Sequence, residues 1–219
     1  MEILHTSDLH GNVPLLLKEM ATNTFAVWVD SGDFFPNLTR GDASVEEPFQ
    51  REWFQKHAAD IKAALAGRPV IIIPGNHDYV DLAELLREHG VWAWNLAEGS
   101  IILNGFRFAG FREIPHIIGE WKGETYRWDF RPIIDRMVQE DPHILVTHAP
   151  SAGVLDWDAN GKHWGIAELS TAIQYRLNNL RAHLHGHVHH MGDSLDMCGG
   201  VQVSNAAQAA RVLIVGEEE

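Results

Sequence analysis

Short runs rich in apolar residues recur along the chain, and each is followed within two residues by a glycine or a polar residue. They cover residues 3–6, 25–29, 70–73, 143–147 and 182–185, with Val70-Ile71-Ile72-Ile73 the purest case. A run without alternation is what a strand covered on both faces requires. Between these runs the apolar positions change period. Phe49, Trp53, Phe54, Ile61 and Leu65 recur at spacings near three to four and predict a helix over residues 49–66. Helices are also predicted over 11–21, 80–89 with Gly90 as C-cap, 132–140 and 166–177. Asn104-Gly105 between 101–103 and 107–109 predicts a β-hairpin, and 201–204 and 211–215 read as two closing strands. Pro36, Gly41 and Pro48 punctuate a predicted loop over residues 34–48.

Strands that first alternate with helices and then pair in a hairpin predict a mixed α/β sandwich. Sheets lie inside and helices outside, in one domain spanning residues 1–219. Connections at 34–48, 111–129 and 149–165 exceed the usual length, and loops that long are often functional.

Composition narrows the function classes. The chain has 219 residues, 45% of them hydrophobic, enough to bury a sheet on both faces. A formal charge of −13 without a dense Lys/Arg run disfavours duplex nucleic acid, whose binding depends on basic residues releasing counterions. A small phosphate ester remains compatible, because the field of a bound metal outweighs distant charge. The single cysteine, Cys198, excludes an intrachain disulfide and fits a reducing cytoplasm. The chain opens directly on a strand, and no apolar run approaches the roughly 20 residues that span a bilayer, so neither a signal peptide nor a membrane partner is expected. Glu217, Glu218 and Glu219 read as a frayed acidic tail.

Candidate chemistry gathers where strands should end. Asp8-Leu9-His10, Gly32-Asp33, Gly75-Asn76-His77-Asp78, His148 and Gly186-His187-Val188-His189 each follow an apolar run. In an open α/β sheet ligands collect beyond the carboxyl ends of strands. The donors are carboxylate, imidazole and amide, without thiolate, which suits divalent catalytic cations better than a structural zinc. In an extended segment residues i and i+2 share a side, so Asp8 and His10 are expected to grip one ion, and His187 and His189 to repeat that geometry. Glycines ahead of the ligands let the backbone turn sharply and approach closely.

The ordered set Asp-x-His, Gly-Asp, Gly-Asn-His-Asp, His and Gly-His-x-His resembles the calcineurin-like metallophosphoesterase superfamily over residues 3 to 205. The resemblance implies a four-layer α-β-β-α sandwich of two mixed sheets flanked by helices. It implies two divalent cations, Mn²⁺ first, with Fe²⁺, Zn²⁺ or Ni²⁺ served by the same donors. Asp8, His10 and His189 would hold one ion, and Asn76, His148 and His187 the other. Asp33 would bridge them. His77 would sit beside the phosphate with Asp78 orienting it, and a metal-bridging hydroxide would attack phosphorus in line. Thr147-His148-Ala149-Pro150, Gly161-Lys162-His163-Trp164-Gly165 and Val203-Ser204-Asn205-Ala206 are similar to the phosphodiesterase branch with the MPPED-type proteins, which implies a small or cyclic phosphodiester, including cyclic nucleotides. The chain departs from that branch at His190-Met191-Gly192, where a further Gly or Glu often stands. Alternatives are a phosphomonoesterase, a nuclease on short single strands, or a non-catalytic scaffold.

Three residues in the long connections are candidate substrate contacts. Arg112, at a strand end, has the bidentate geometry for a phosphate. His163 and Trp164 could line a pocket. Trp121, Trp128 and Trp157 offer rings on which a base could stack, or packing against the sheet.

Overall fold

The computed structural model describes residues 1–39 and 41–216. The elements run β1 (Glu2–Ser7), α1 (Val13–Thr22), β2 (Val27–Asp30), α2 (Ala43–Leu65), β3 (Val70–Ile72), α3 (Leu82–Glu88) and β4 (Ala93–Asn95). Then come β5 (Ile101–Leu103), β6 (Phe106–Phe111), β7 (Ile114–Pro115), β8 (Glu124–Thr125), α4 (Phe130–Glu140) and β9 (Ile144–Thr147). The chain continues with α5 (Ala167–Tyr175), β10 (Ala182–His185), β11 (Ser194–Cys198), β12 (Val201–Asn205) and β13 (Ala209–Ile214).

One sheet has the order β13-β1-β2-β3-β4 and the other β11-β12-β10-β9-β6-β5. The inner strands of both are parallel, while β13, β11 and β5 join antiparallel at edges. Successive side chains on a strand point to opposite faces, and here both faces are buried. Ile3, Val27, Val29 and Ile71 meet Phe108, Ile144, Val146 and Leu184 between the sheets. Leu4, Trp28, Val70 and Ile72 turn outward to Leu16, Phe54 and Leu85 on the three helices that cover the first sheet. Leu145 and Ala109 turn outward to Ile134, Met137, Leu169 and Ile173 on α4 and α5. The layers are therefore helix, sheet, sheet, helix. The Asn104-Gly105 hairpin forms as predicted, with both residues at positive φ and β5 antiparallel to β6.

Several boundaries differ from the sequence reading. α2 begins at Ala43, six residues before the predicted start at 49. Asp42 caps it, its carboxylate accepting from the Ser44 amide at 3.0 Å. Glu46, in the first turn, closes the preceding loop by accepting from the Leu38 and Thr39 amides. Pro48 lies in the second turn, where it removes one ladder hydrogen bond without ending the helix. β4, β11 and the two-residue strands β7 and β8 were not predicted. β4 is only three residues long, and β11 exposes Leu195 and Met197 at a sheet edge, so neither carries a buried apolar run. The acidic tail at 217–219 lies outside the described residues.

Candidate metal centre

β1, β2 and β3 of one sheet and β9 and β10 of the other release their ends at the same side of the sandwich. Asp8, Asp33, Asn76, His148 and His187 follow those ends. The backbone there is not extended. Asp8, His10, Asp33 and His187 have φ of 51°, 43°, 58° and 66°, a left-handed region unfavourable to residues with a Cβ. Such positions cluster at functional sites. The expected alternation across Leu9 and Val188 is thus replaced by tight left-handed turns. Close approach of the loops makes glycine obligatory at two positions. A Cβ on Gly75 would overlap the Asp33 carboxylate, and one on Gly186 would overlap Ser7 Oγ and Asp8 Oδ2.

The turns bring ligand atoms together in two groups, Asp8 with His10 and His189, and Asp8 with Asp33 and His148, each within 4.8 Å of one another. Asp8 Oδ1 lies 3.0 Å from His189 Nε2, and Asp8 Oδ2 accepts from Ser7 Oγ and the His187 amide. His148 Nδ1 donates to the Ser31 carbonyl at 2.8 Å. Its Nε2 then faces Asn76 Oδ1 at 3.1 Å and Asp33 Oδ2 at 3.2 Å. In a neutral imidazole that nitrogen is a lone pair. Three acceptors therefore converge on one buried point that only a proton or a metal ion can satisfy. Burial alone would lower the His148 pKa; the Asp33 carboxylate outweighs it and pushes it to about 10. His187 stays neutral, because burial lowers its pKa to about 3, and its ring centroid lies 5.0 Å from that of His148.

His77 is held from two sides. Its Nδ1 donates to Asn37 Oδ1 at 2.9 Å, its carbonyl accepts from Asn37 Nδ2 and Gln50 Nε2, and its amide donates to Asp33 Oδ1. Its Nε2 lies 4.0 Å from Asp33 Oδ2. Among the described residues, Asn37 orients this ring, where Asp78 was expected to. The Asp78 carboxylate instead accepts from the Asp33, Phe35 and Gly75 amides at 2.7, 3.2 and 2.8 Å and ties the two ligand loops together. Burial, then the neighbouring Asp33 charge, raises its pKa to about 6. Asn37 and Gln50 carry no sequence signal: one is a loop asparagine and the other a helix glutamine.

The three candidate substrate contacts separate. Trp164 lies beside the centre, its ring centroid 6.3 Å from that of His187, with Nε1 donating to Asp158 Oδ2 and the Lys162 ammonium 3.4 Å from the ring centre. It walls a cavity of about 420 Å³ with Ile117, Val188, His187 and His189. His163 does not line that cavity; its Nδ1 pairs with the buried Asp156 at 2.8 Å. Arg112 reaches the Gly75 carbonyl at 3.4 Å, behind the ligand loop. Trp121 stands over His77, whereas Trp128 stacks on Tyr126 and is 73% exposed. Among the described residues no helix is long and apolar enough to cross a membrane.

The family profile of calcineurin-like phosphoesterases matches residues 1–191. The chain belongs to that family. Membership supports metal-dependent phosphoester hydrolysis as its class of activity, and the Asp/His cluster has the donors to bind metal. Metallophosphoesterase domain-containing protein 1 of Homo sapiens is 28% identical over 102 residues, 43% of this chain and 28% of that protein. The Mus musculus protein of the same name matches to the same extent. The match thus spans under a third of these relatives' length. A solved crystal structure shares the fold over 93% of this chain and 89% of its own, with a TM-score of 0.67 and 20% identity.

Proposed function

We propose that this chain hydrolyses a small or cyclic phosphodiester, such as a nucleotide diester, with two divalent cations. The carrying observation is the convergence of His148 Nε2, Asn76 Oδ1 and Asp33 Oδ2 on one buried point. The donor set fits Mn²⁺, Fe²⁺, Zn²⁺ or Ni²⁺. Asp8, His10 and His189 would hold one ion, Asn76, His148 and His187 the other, with Asp33 serving both. When bound, the ions supply Lewis-acid polarisation of the phosphoryl group and an acidified water.

The chain's own side chains do the rest. His77, its Nδ1 proton committed to Asn37, presents Nε2 to the leaving oxygen and donates a proton from that atom as the imidazolium, a form that burial of the ring disfavours and the Asp33 charge favours. Asp78 keeps the Asp33 and Gly75 loops in register. The cavity beside His187 and His189 is lined by Ile117, Trp164, Val188 and the Asp158 carboxylate, with no Lys or Arg among its described walls. That lining supports a monoanionic diester carrying an organic group over a dianionic monoester. The single cysteine and the lack of a basic stripe support a reducing compartment and a small-molecule substrate.

Paired assays of the Mn²⁺-loaded protein on bis-p-nitrophenyl phosphate and p-nitrophenyl phosphate test the reading. The diester is expected to have a kcat/KM ~10-fold higher or more, about 1.4 kcal/mol of transition-state preference. A reversed ratio would make the chain a phosphomonoesterase, and hydrolysis of neither would make it a scaffold.

A further inference from the structure

Residues 114–125, between β6 and α4, form a tab organised around one carboxylate. β7 and β8 pair in parallel, Ile114 opposite Glu124 and Pro115 opposite Thr125, and hold the neck of the tab. Glu124 Oε2 accepts from the amides of Ile117, Ile118 and Gly119 at 2.7, 3.0 and 2.7 Å. Glu124 Oε1 accepts from those of Glu120 and Trp121 at 3.2 and 2.9 Å. Five consecutive amides thus close on one side chain that is 4% exposed. Hydrogen bonds to a charged acceptor are stronger than neutral ones, so this loop has its own polar centre in place of an apolar core.

The tab lands on the candidate metal centre at both ends. Trp121 lies against His77 with ring centroids 4.3 Å apart. Lys122 Nζ donates to the Tyr79 carbonyl at 3.1 Å, anchoring that end to the segment after His77. At the other end Ile117 forms a wall of the cavity that contains His187 and His189. Trp164 stands in the same cavity, fixed by Asp158 and Lys162. At about 420 Å³ the cavity falls within the usual range for small-molecule sites.

We infer that Glu124 is a positioning residue that sets substrate choice: by fixing the tab it places Ile117 opposite Trp164, forming a slot for a flat aromatic substituent of the phosphoester, a nucleobase or an aryl ring. This deepens the phosphodiesterase reading and rests on it for the identity of the reaction. A base stacked on an aromatic ring gains about 1–3 kcal/mol, which is ~5- to 150-fold in affinity. An alkyl group gains less in the same slot.

The test holds the leaving group constant. Metal-loaded protein is assayed on thymidine 5′-(p-nitrophenyl phosphate) and methyl p-nitrophenyl phosphate. The thymidine ester is expected to show a KM ~10-fold lower or more. Glu124→Ala is expected to bring that ratio near one by raising the thymidine KM, while kcat, which also feels the release of Trp121 from His77, falls by the same factor on both esters. Glu124→Gln, which keeps one acceptor oxygen, is expected to recover part of the ratio. Ile117→Ser probes the slot without touching the carboxylate and is expected to lower the ratio, even if Glu124→Ala fails to fold. A wild-type ratio near one, or a ratio unchanged in Ile117→Ser and the Glu124 variants, overturns the inference. If neither ester turns over, the hydrolytic reading fails. Equilibrium binding of thymidine 5′-phosphate against methyl phosphate then decides the slot alone, equal affinity refuting it.

Discussion

Trp121 rests against His77 with ring centroids 4.3 Å apart and ring planes tilted by 40°, while Asn37 holds the opposite edge of the imidazole at 2.9 Å. The two contacts differ in strength. An aromatic pair contributes about 0.5–1.5 kcal/mol, and a buried polar group left unpartnered costs about 1–3 kcal/mol. Trp121→Ala is therefore expected to lower kcat about 3- to 10-fold, and Asn37→Ala about 10- to 100-fold, both with full metal content. Steady-state kinetics with elemental analysis check this. An unchanged kcat in Asn37→Ala would remove that residue from the positioning of His77.

Asp33 and His77 are expected to separate metal binding from turnover. Asp33→Ala should lose at least one ion, since its carboxylate approaches His148 at 3.2 Å. His77→Ala should keep both ions and lose ~100-fold or more in turnover, as for a missing proton donor. Full double occupancy in Asp33→Ala would count against a shared ligand.

Metal uptake should release protons. Burial depresses the His148 pKa, but Asp33 overrides it and holds it at about 10, so the metal-free ring stays protonated through neutral pH. A cation must displace that proton, so apparent metal affinity should rise with pH between 6 and 8. Potentiometric titration during loading measures it. Affinity flat across that window would show that His148 gives up no proton.

The tab around Glu124 should loosen in acid. Burial raises the Glu124 pKa, but the amides of residues 117–121 outweigh it and hold it below the usual glutamate value. A depressed pKa means stability that is complete above the unfolded value of about 4.3 and lost as pH falls through the lower folded one. Hydrogen exchange of amides 117–121, corrected for intrinsic rates, should be protected at pH 6 and lose protection as the carboxylate takes up its proton below the usual glutamate value. Glu124→Gln should lose much of that protection at pH 6. Equal protection in both proteins at pH 6 would show that the carboxylate is not what holds the loop.

The layers and the convergence of the candidate residues were legible in the chain for a common reason. Val70–Ile73 and its sister runs mark strands buried on both faces, and their ends name Asp8, Asp33, Asn76, His148 and His187. What stayed hidden depends on contacts distant in sequence. Nothing local marks Asn37 as the partner of His77, 40 residues on. Asp78 stands next to His77, yet its carboxylate turns to the backbone of a different loop. Glu124 reads as one acid in an irregular stretch, because its partners are main-chain amides, which every residue has. The left-handed turns at Asp8 and His10 were also invisible, since an Asp-x-His triplet fits an extended strand equally well.

Those turns, packed against glycines that leave no space for a Cβ, make a closely packed cradle. Gly75 abuts the Asp33 carboxylate, and Gly186 abuts Ser7 and Asp8. Such a cradle discriminates by ionic radius. Calcium, which takes about 6–8 oxygen ligands at roughly 2.3–2.6 Å in flexible sites, is expected to support little turnover even at millimolar concentration. The smaller transition-metal ions, which accept imidazole nitrogen, should support it. Substituting Gly75→Ala should not widen that selectivity toward calcium but abolish ion binding altogether, which a comparison of Mn²⁺ and Ca²⁺ binding isotherms would reveal.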